Sequence, residues 1–274
     1  SMSRTTVPAA IASLALAAGL GVGSLVAAST AEAAGTLRIA MTASDIPLPN
    51  GQTDQGAEGL RFMGFQAFEA LVGYNLSSAD EAAKLVPGLA TAWSVDPADP
   101  NRWTFKLRPG VTFHDGSAFD AAAVVWNFAK LLDTAAPQYD EKQAAQGRSR
   151  IPTVASVKAI GPLKVEIVTK APDALLPWQI AFIVMSSPAQ WEKVGKNWAE
   201  FLKAPSGTGP FRVTTYVPRE RAEMVPFAGY WDKKRISSLD KLVLMPVPDP
   251  SARVAALRSG QVDWIEAPPP DALA

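Results

Sequence analysis

Between Trp103 and Arg108 the apolar residues Trp103, Phe105 and Leu107 alternate with Thr104, Lys106 and Arg108. A two-residue period buries one face of an extended chain and wets the other, so this stretch is predicted to be a half-buried strand. Pro109-Gly110 interrupts it, Val111 and Phe113 resume the alternation, and Asp115-Gly116 interrupts again. The reading is two short strands in a hairpin joined by a Pro-Gly turn. Asp120 then stands ready to cap a helix in which Val124, Phe128, Leu131 and Leu132 recur at helical spacing. That helix is predicted to pack on the hairpin, with its aromatic stripe serving as scaffold.

The same reading extends along the chain. Leu37, Ile39 and Met41 alternate with Arg38 and Ala40, which predicts a strand followed by the polar loop Thr42 to Pro47. Leu60, Met63, Ala67, Phe68 and Leu71 fall on one helical face, predicting a single amphipathic helix in EGLRFMGFQAFEALVGYN. Leu163, Val165, Ile167 and Thr169 mark a further strand, and APDALLPWQIAFIVMSSPAQW reads as a short apolar helix running into a loop. Near the end, the apolar run Leu239 to Val247 suits a buried strand. Ser251 is placed to cap a helix through Arg258, Gly260 suits its carboxyl end, and Val262 to Ile265 begin another strand.

The amino terminus follows a different pattern. Arg4 gives a short positive region, Val7 to Ala28 carry no charge, and Ala31-Glu32-Ala33 supply small residues at the positions a signal peptidase reads. A cleavable export signal is predicted over residues 1–33, with Ser1 before Met2 as a scar of tag removal. A transmembrane anchor is the competing reading, since roughly 20 apolar residues span a bilayer. The Ala and Gly content of the run and its cleavage site favour the signal.

Composition narrows the function classes. The 274 residues are 48% hydrophobic and carry 26 basic and 26 acidic side chains, enough for a sizeable core in one or two domains. With balanced charge and no basic run joined to aromatic residues, nucleic acid is not an expected partner. There is no cysteine, so this sequence offers no residue for a disulfide or a lipoprotein anchor.

Candidate chemistry is sparse. His114 is the single histidine and lies at a turn, where a hydrogen-bonding role is expected rather than catalysis. Past the amino-terminal run there is no G-x-S-x-G, and no HExxH, CxxC or phosphate-binding glycine loop occurs, so neither a metal nor a cofactor is expected. A pair of carboxylates acting on a glycosidic bond is the enzymatic alternative that sequence leaves open, because its geometry is set by the fold.

The units PGLATAW, WTFKLRPGVTFHDG, FDAAAVVWNF, LV-x-Y, SGTGPFRV and G-x-V-D together resemble the extracellular solute-binding proteins of family 5, which feed peptide and nickel ABC transporters. The resemblance implies an α/β fold: a lobe of the type II periplasmic-binding-protein kind, with a mixed sheet and an inserted α+β subdomain. It assigns residues 34–73 and 205–274 to that lobe and 74–204 to the insertion. In full-length relatives the chain crosses into a second lobe and returns, whereas this sequence stops at Ala274, so the resemblance covers the first half of that architecture. It further implies a periplasmic, non-enzymatic receptor, monomeric when full length, that passes an oligopeptide or related polar solute to an inner-membrane ABC permease. A truncated or structural interaction module is the alternative. The loop Thr42, Ala43, Ser44, Asp45 and Ile46, at a strand's carboxyl end, is expected to face the ligand cleft. Asp45 would pair with a ligand amine or simply form a turn. Met185 and Ser186 are the candidates from the subdomain side.

Overall fold

Leu37, Ile39 and Met41 point to one side of strand β1 (Thr36–Met41) and join a core with Met63, Phe68, Phe211 and Leu244. Ala40 points the other way, against Ala256, Val262 and Ile265. A strand covered on both faces belongs inside a sheet, and β1 is central. The computed structural model describes residues 35–273. The apolar run read as an export signal lies outside them.

The remaining strands are β2 (Val72–Asn75), β3 (Lys84–Pro87), β4 (Ala90–Asp96), β5 (Asp99–Leu107), β6 (Val154–Gly161) and β7 (Lys164–Thr169). They are followed by β8 (Phe211–Val217), β9 (Arg221–Pro226), β10 (Lys241–Pro246) and β11 (Trp264–Ile265). One mixed sheet has the order β11-β1-β10-β9-β8, with β1 parallel to both neighbours and β9 antiparallel to β10. A second, antiparallel sheet has the order β4-β5-β7-β6, and β2-β3 form a separate ribbon. The helix Ala121–Leu132 packs against β6 and β7 and buries Val124, Phe128 and Leu131 beside Phe105 and Ile167. Its N-cap is Asp120, whose side chain accepts from Ala123 N at 2.9 Å, as expected. Among the described residues no helix is long and apolar enough to cross a membrane.

Three local expectations change. The strand over Trp103–Leu107 exists, but it makes no hairpin with Val111 and Phe113. Both its edges are taken, one by β4 (Trp103 opposite Val95) and one by β7 (Trp103 opposite Ile167). Val111 and Phe113 instead bury themselves in a tight loop closed by Phe119 N to Val111 O and Phe113 N to Ser117 O. The helix capped in expectation by Ser251 runs over Pro250–Arg258, and its cap is Asp249, which accepts from Ala252 N at 2.7 Å with Pro250 in the first turn. Gly260 does end it in the left-handed region, at φ 76°.

The third change concerns the helix expected over residues 58–75. It is helical only from Gly56 to Ala67, with a π-turn at Leu60–Gly64, and the chain is extended again by Phe68. Ala67 O, which a longer helix would use internally, accepts from Gly209 N at 3.1 Å. The Ser206–Pro210 segment passes so close that a Cβ on Gly207 would lie 2.1 Å from Ala67 O, and one on Gly209 would lie 2.5 Å from Gln66 O. The glycines of SGTGPFRV therefore permit this close approach. Beyond the helix end, the Glu69 carboxylate collects Thr208 Oγ1 (2.8 Å), Tyr230 Oη (2.7 Å) and Trp231 Nε1 (3.1 Å).

His114 clamps the same crossing from its other side. Its backbone N donates to Gly207 O at 2.8 Å, its Nδ1 accepts from Gly207 N, and Nε2 meets Gly209 O at 2.9 Å. A ring that accepts at one nitrogen and donates at the other is neutral. Burial pushes its pKa down to about 4, against a smaller opposing effect of the Gly209 carbonyl.

Replacing Gly207 by Ala forces backbone against backbone and is expected to remove about 3 kcal/mol or more of stability in urea denaturation. Gly73→Ala is the control: its added Cβ meets Val86 at an ordinary 3.7 Å, and the change should stay within about 1 kcal/mol. Equal effects of the two would contradict the close crossing. The His114 proton gives a second test. Its folded pKa lies below the ordinary 6.5, so its stabilising contribution is complete above pH 6.5 and lost as pH falls toward 4. That loss is about 3 kcal/mol. His114→Gln should flatten the stability profile in that window, and an unchanged slope would rule the clamp out.

Candidate ligand-binding edge

The parallel strands β10, β1 and β11 end at one edge of the mixed sheet, and the loop after β1 lies there. Within it, Ala43 and Ile46 are buried in the core, while Thr42 and Asp45 are half-buried and Ser44 is exposed. Thr42 Oγ1 lies within hydrogen-bond reach of both Glu58 and Glu266, donating to Glu266 Oε2 at 2.9 Å, and Arg61 pairs with Glu266. Burial works to raise the Glu266 carboxyl, but Thr42, Glu58 and Arg61 together hold it below the ordinary carboxylate value. Asp45 Oδ1 accepts from Ile46 N at 2.6 Å and from Arg219 N, and Gln55 Nε2 donates to Asp45 O at 2.9 Å. Its Oδ2 accepts no hydrogen bond among the described residues.

Met185 and Ser186 lie elsewhere, at 0% exposure. Met185 N donates to Glu69 O at 2.9 Å. Ser186 sits in a polar knot with the helix Ala121–Leu132: Asn127 Oδ1 accepts from Ser186 N at 2.9 Å, Asn127 Nδ2 donates to Ser186 O at 2.9 Å, and Lys130 Nζ donates to Ser186 Oγ at 2.9 Å. In this structure neither side chain has surface to offer a ligand. What connects the two sets is the chain between them. Gly51, at φ 98°, presses on this knot, where a Cβ would lie 2.8 Å from Ser186 Oγ, and Gln52 Nε2 donates to Phe182 O at 2.9 Å.

Lys130 is fully enclosed, with no carboxylate in contact among the described residues, and burial pushes its pKa down to about 7. Reading the sequence missed it, although a signal was present: Asn127 and Lys130 stand three apart in the apolar helix that Val124, Phe128 and Leu131 define. Glu58, Arg61 and Glu266 were also missed, because residues far apart in sequence meet only where β1 and β11 pair.

The family model for bacterial extracellular solute-binding proteins, family 5 middle, matches residues 84–274, more than half of the chain. The chain belongs to that family. It is 33% identical over 187 residues to the glutathione-binding protein GsiB of Pectobacterium atrosepticum, covering 68% of this chain and 34% of that protein. The GsiB protein of Escherichia coli K12 is 32% identical over 191 residues, covering 69% and 35%. Among solved structures, a dipeptide-binding protein from Pseudoalteromonas sp. SM9913 in complex with Met-Leu superposes with a TM-score of 0.76. That likeness covers 87% of this chain and 48% of the other, and at 21% identity it shows the shared fold. The periplasmic binding protein DppA of Helicobacter pylori, in complex with the peptide STSA, has a TM-score of 0.71 at 25% identity, covering 83% and 46%. The chain thus spans about a third of the curated relatives and about half of the solved ones. The mixed α/β architecture is that of one lobe of a periplasmic binding protein.

Lys130 provides the test of the knot. Since its folded pKa lies below the ordinary 10.5, folding is favoured most above pH 10.5 and loses stability as pH falls toward 7, below which the loss is complete. Replacement by a neutral side chain of similar volume, Lys130→Met, is expected to remove that slope and to raise stability near pH 7 by about 1 kcal/mol or more. A parallel pH dependence in parent and variant would sink this account.

Proposed function

We propose that the chain is the first lobe of a periplasmic receptor that captures a small peptide or similar polar solute and presents it to an inner-membrane ABC permease. The observation that carries this reading is the family match over residues 84–274. The peptide class is supported by the relatives, two named for glutathione and two solved with Met-Leu or STSA. In this reading residues 34–73 and 205–274 form the lobe, 74–204 the inserted subdomain, and residues 1–33 an export signal. The solute is held and released without a covalent step.

The ligand meets the lobe at the carboxyl edge of β10, β1 and β11, the usual crevice of an open α/β sheet. Thr42, Ser44 and Asp45 contribute side chains and Ala43 and Ile46 contribute backbone. Asp45 Oδ2 takes a ligand amine, while Oδ1 keeps the loop in place. Ser186 acts from behind, as part of the knot under the Gly51 segment, and Met185 packs in the core beside it. A solute touching both lobes stabilises the closed arrangement by its differential affinity, which is what a permease would recognise.

Calorimetry on the two-lobed protein this reading implies tests the assignment, with Met-Leu and its N-acetylated form as ligands. Asp45→Asn, which keeps Oδ1 for the loop and removes the charge, is expected to weaken Met-Leu roughly tenfold and to leave the acetylated peptide unaffected. Unchanged Met-Leu affinity would remove Asp45 from the site.

A further inference from the structure

The face bearing β2 and the helix Leu176–Ile180 carries an aromatic shelf that the family assignment leaves without a role. The Tyr74 ring lies 5.7 Å from both Trp178 and Phe182, and Tyr74 Oη donates to Trp178 O at 3.1 Å, which fixes its plane. Trp178 is 39% exposed and Leu175 62%, so the shelf faces outward. Apolar surface left open at a rigid aromatic cluster suits an apolar group from outside.

Two polar groups at the shelf lack partners. Arg150 stacks over Phe182, its guanidinium carbon 4.4 Å from the ring centroid, and its side chain makes no ion pair or hydrogen bond among the described residues. Gln179 Oε1 is a buried acceptor with no donor. Its amide nitrogen donates to Asp173 Oδ2 at 3.0 Å, and the residue lines the opening. Asp173 itself is occupied by Thr153, Leu175 N and Gln179, which leaves the Arg150 charge to something else. These groups line one cavity of about 250 Å³.

We propose that this shelf binds a carboxylate-bearing apolar group, the ring or branched chain lying against Tyr74, Trp178 and Phe182 and the carboxylate paired with Arg150. Gln179 Oε1 accepts from an N–H or O–H on the same ligand. A planar guanidinium suits a carboxylate through two parallel hydrogen bonds, and its stacking on Phe182 holds it ready. The proposal rests on the receptor reading and deepens it: a peptide or acyl amino acid ending in an apolar residue has all three features. Phe182 is tied to the chain that follows the β1 loop, since Gln52 Nε2 donates to Phe182 O at 2.9 Å.

The test uses the 274-residue chain and an NMR titration with N-acetyl-phenylalanine, its uncharged amide, and 3-phenylpropylamine. The acid is expected to bind roughly tenfold more tightly than the amide. Trp178→Ala should weaken it by a similar factor, and Arg150→Glu should reverse the preference in favour of the amine. Thermal melts matching the parent ensure that the variants are folded. No binding of the acid, or equal binding by parent and Arg150→Glu, overturns the proposal. So does loss of binding on Asp45→Ala with the shelf variants silent, which would move the probe to the strand edge. The receptor reading fails separately: a two-lobed protein that binds no peptide while the shelf still binds the acid would reject the receptor and keep the shelf.

Discussion

Everything in this chain is arranged around a place where two backbones nearly touch. Gly207 and Gly209 cross Gln66 and Ala67 with less room than a methyl group needs, and the crossing is hydrogen-bonded on both sides. On one side it takes the last free helical carbonyl, Ala67 O; on the other it is gripped by the backbone and ring of His114. This contact joins segments more than a hundred residues apart, and from it β8 leads directly into the mixed sheet. A side chain at either glycine would meet the backbone of Gln66 or Ala67.

Polar groups inside the protein gather at such joints. Glu69 ties Thr208, Tyr230 and Trp231 to the helix end, and Lys130 with Asn127 ties the helix Ala121–Leu132 to Ser186. A buried hydrogen-bonded network adds little net stability compared with apolar packing, but it is satisfied in only one geometry. Its contribution here is register. The segment from Pro49 to Thr53 is held against one such network, and the loop ahead of it reaches the sheet edge in a defined position.

At that edge the electrostatics are local. Arg61 pairs with Glu266 and Thr42 donates to it, so the carboxyl ends of β1 and β11 are joined by a hydrogen bond as well as by strand pairing. In the proposed receptor, an edge tied this way would lower the ordering cost of binding.

Period and punctuation alone determined much of this protein. The strand at Trp103–Leu107, the helix capped by Asp120, the strand at Leu37–Met41 and the turn at Gly260 were all legible, because each follows from local sterics or from one face being buried. The family was legible for the same reason, since its marker segments are scaffold. Tertiary structure alone decided the rest: which strands take the two edges of β5, where the helix of residues 56–67 stops, and that Met185 and Ser186 turn inward. It also brought Glu58, Arg61 and Glu266 together. Those outcomes depend on which distant group reaches a backbone carbonyl or a strand edge first, and no local pattern of apolar and polar residues encodes that competition.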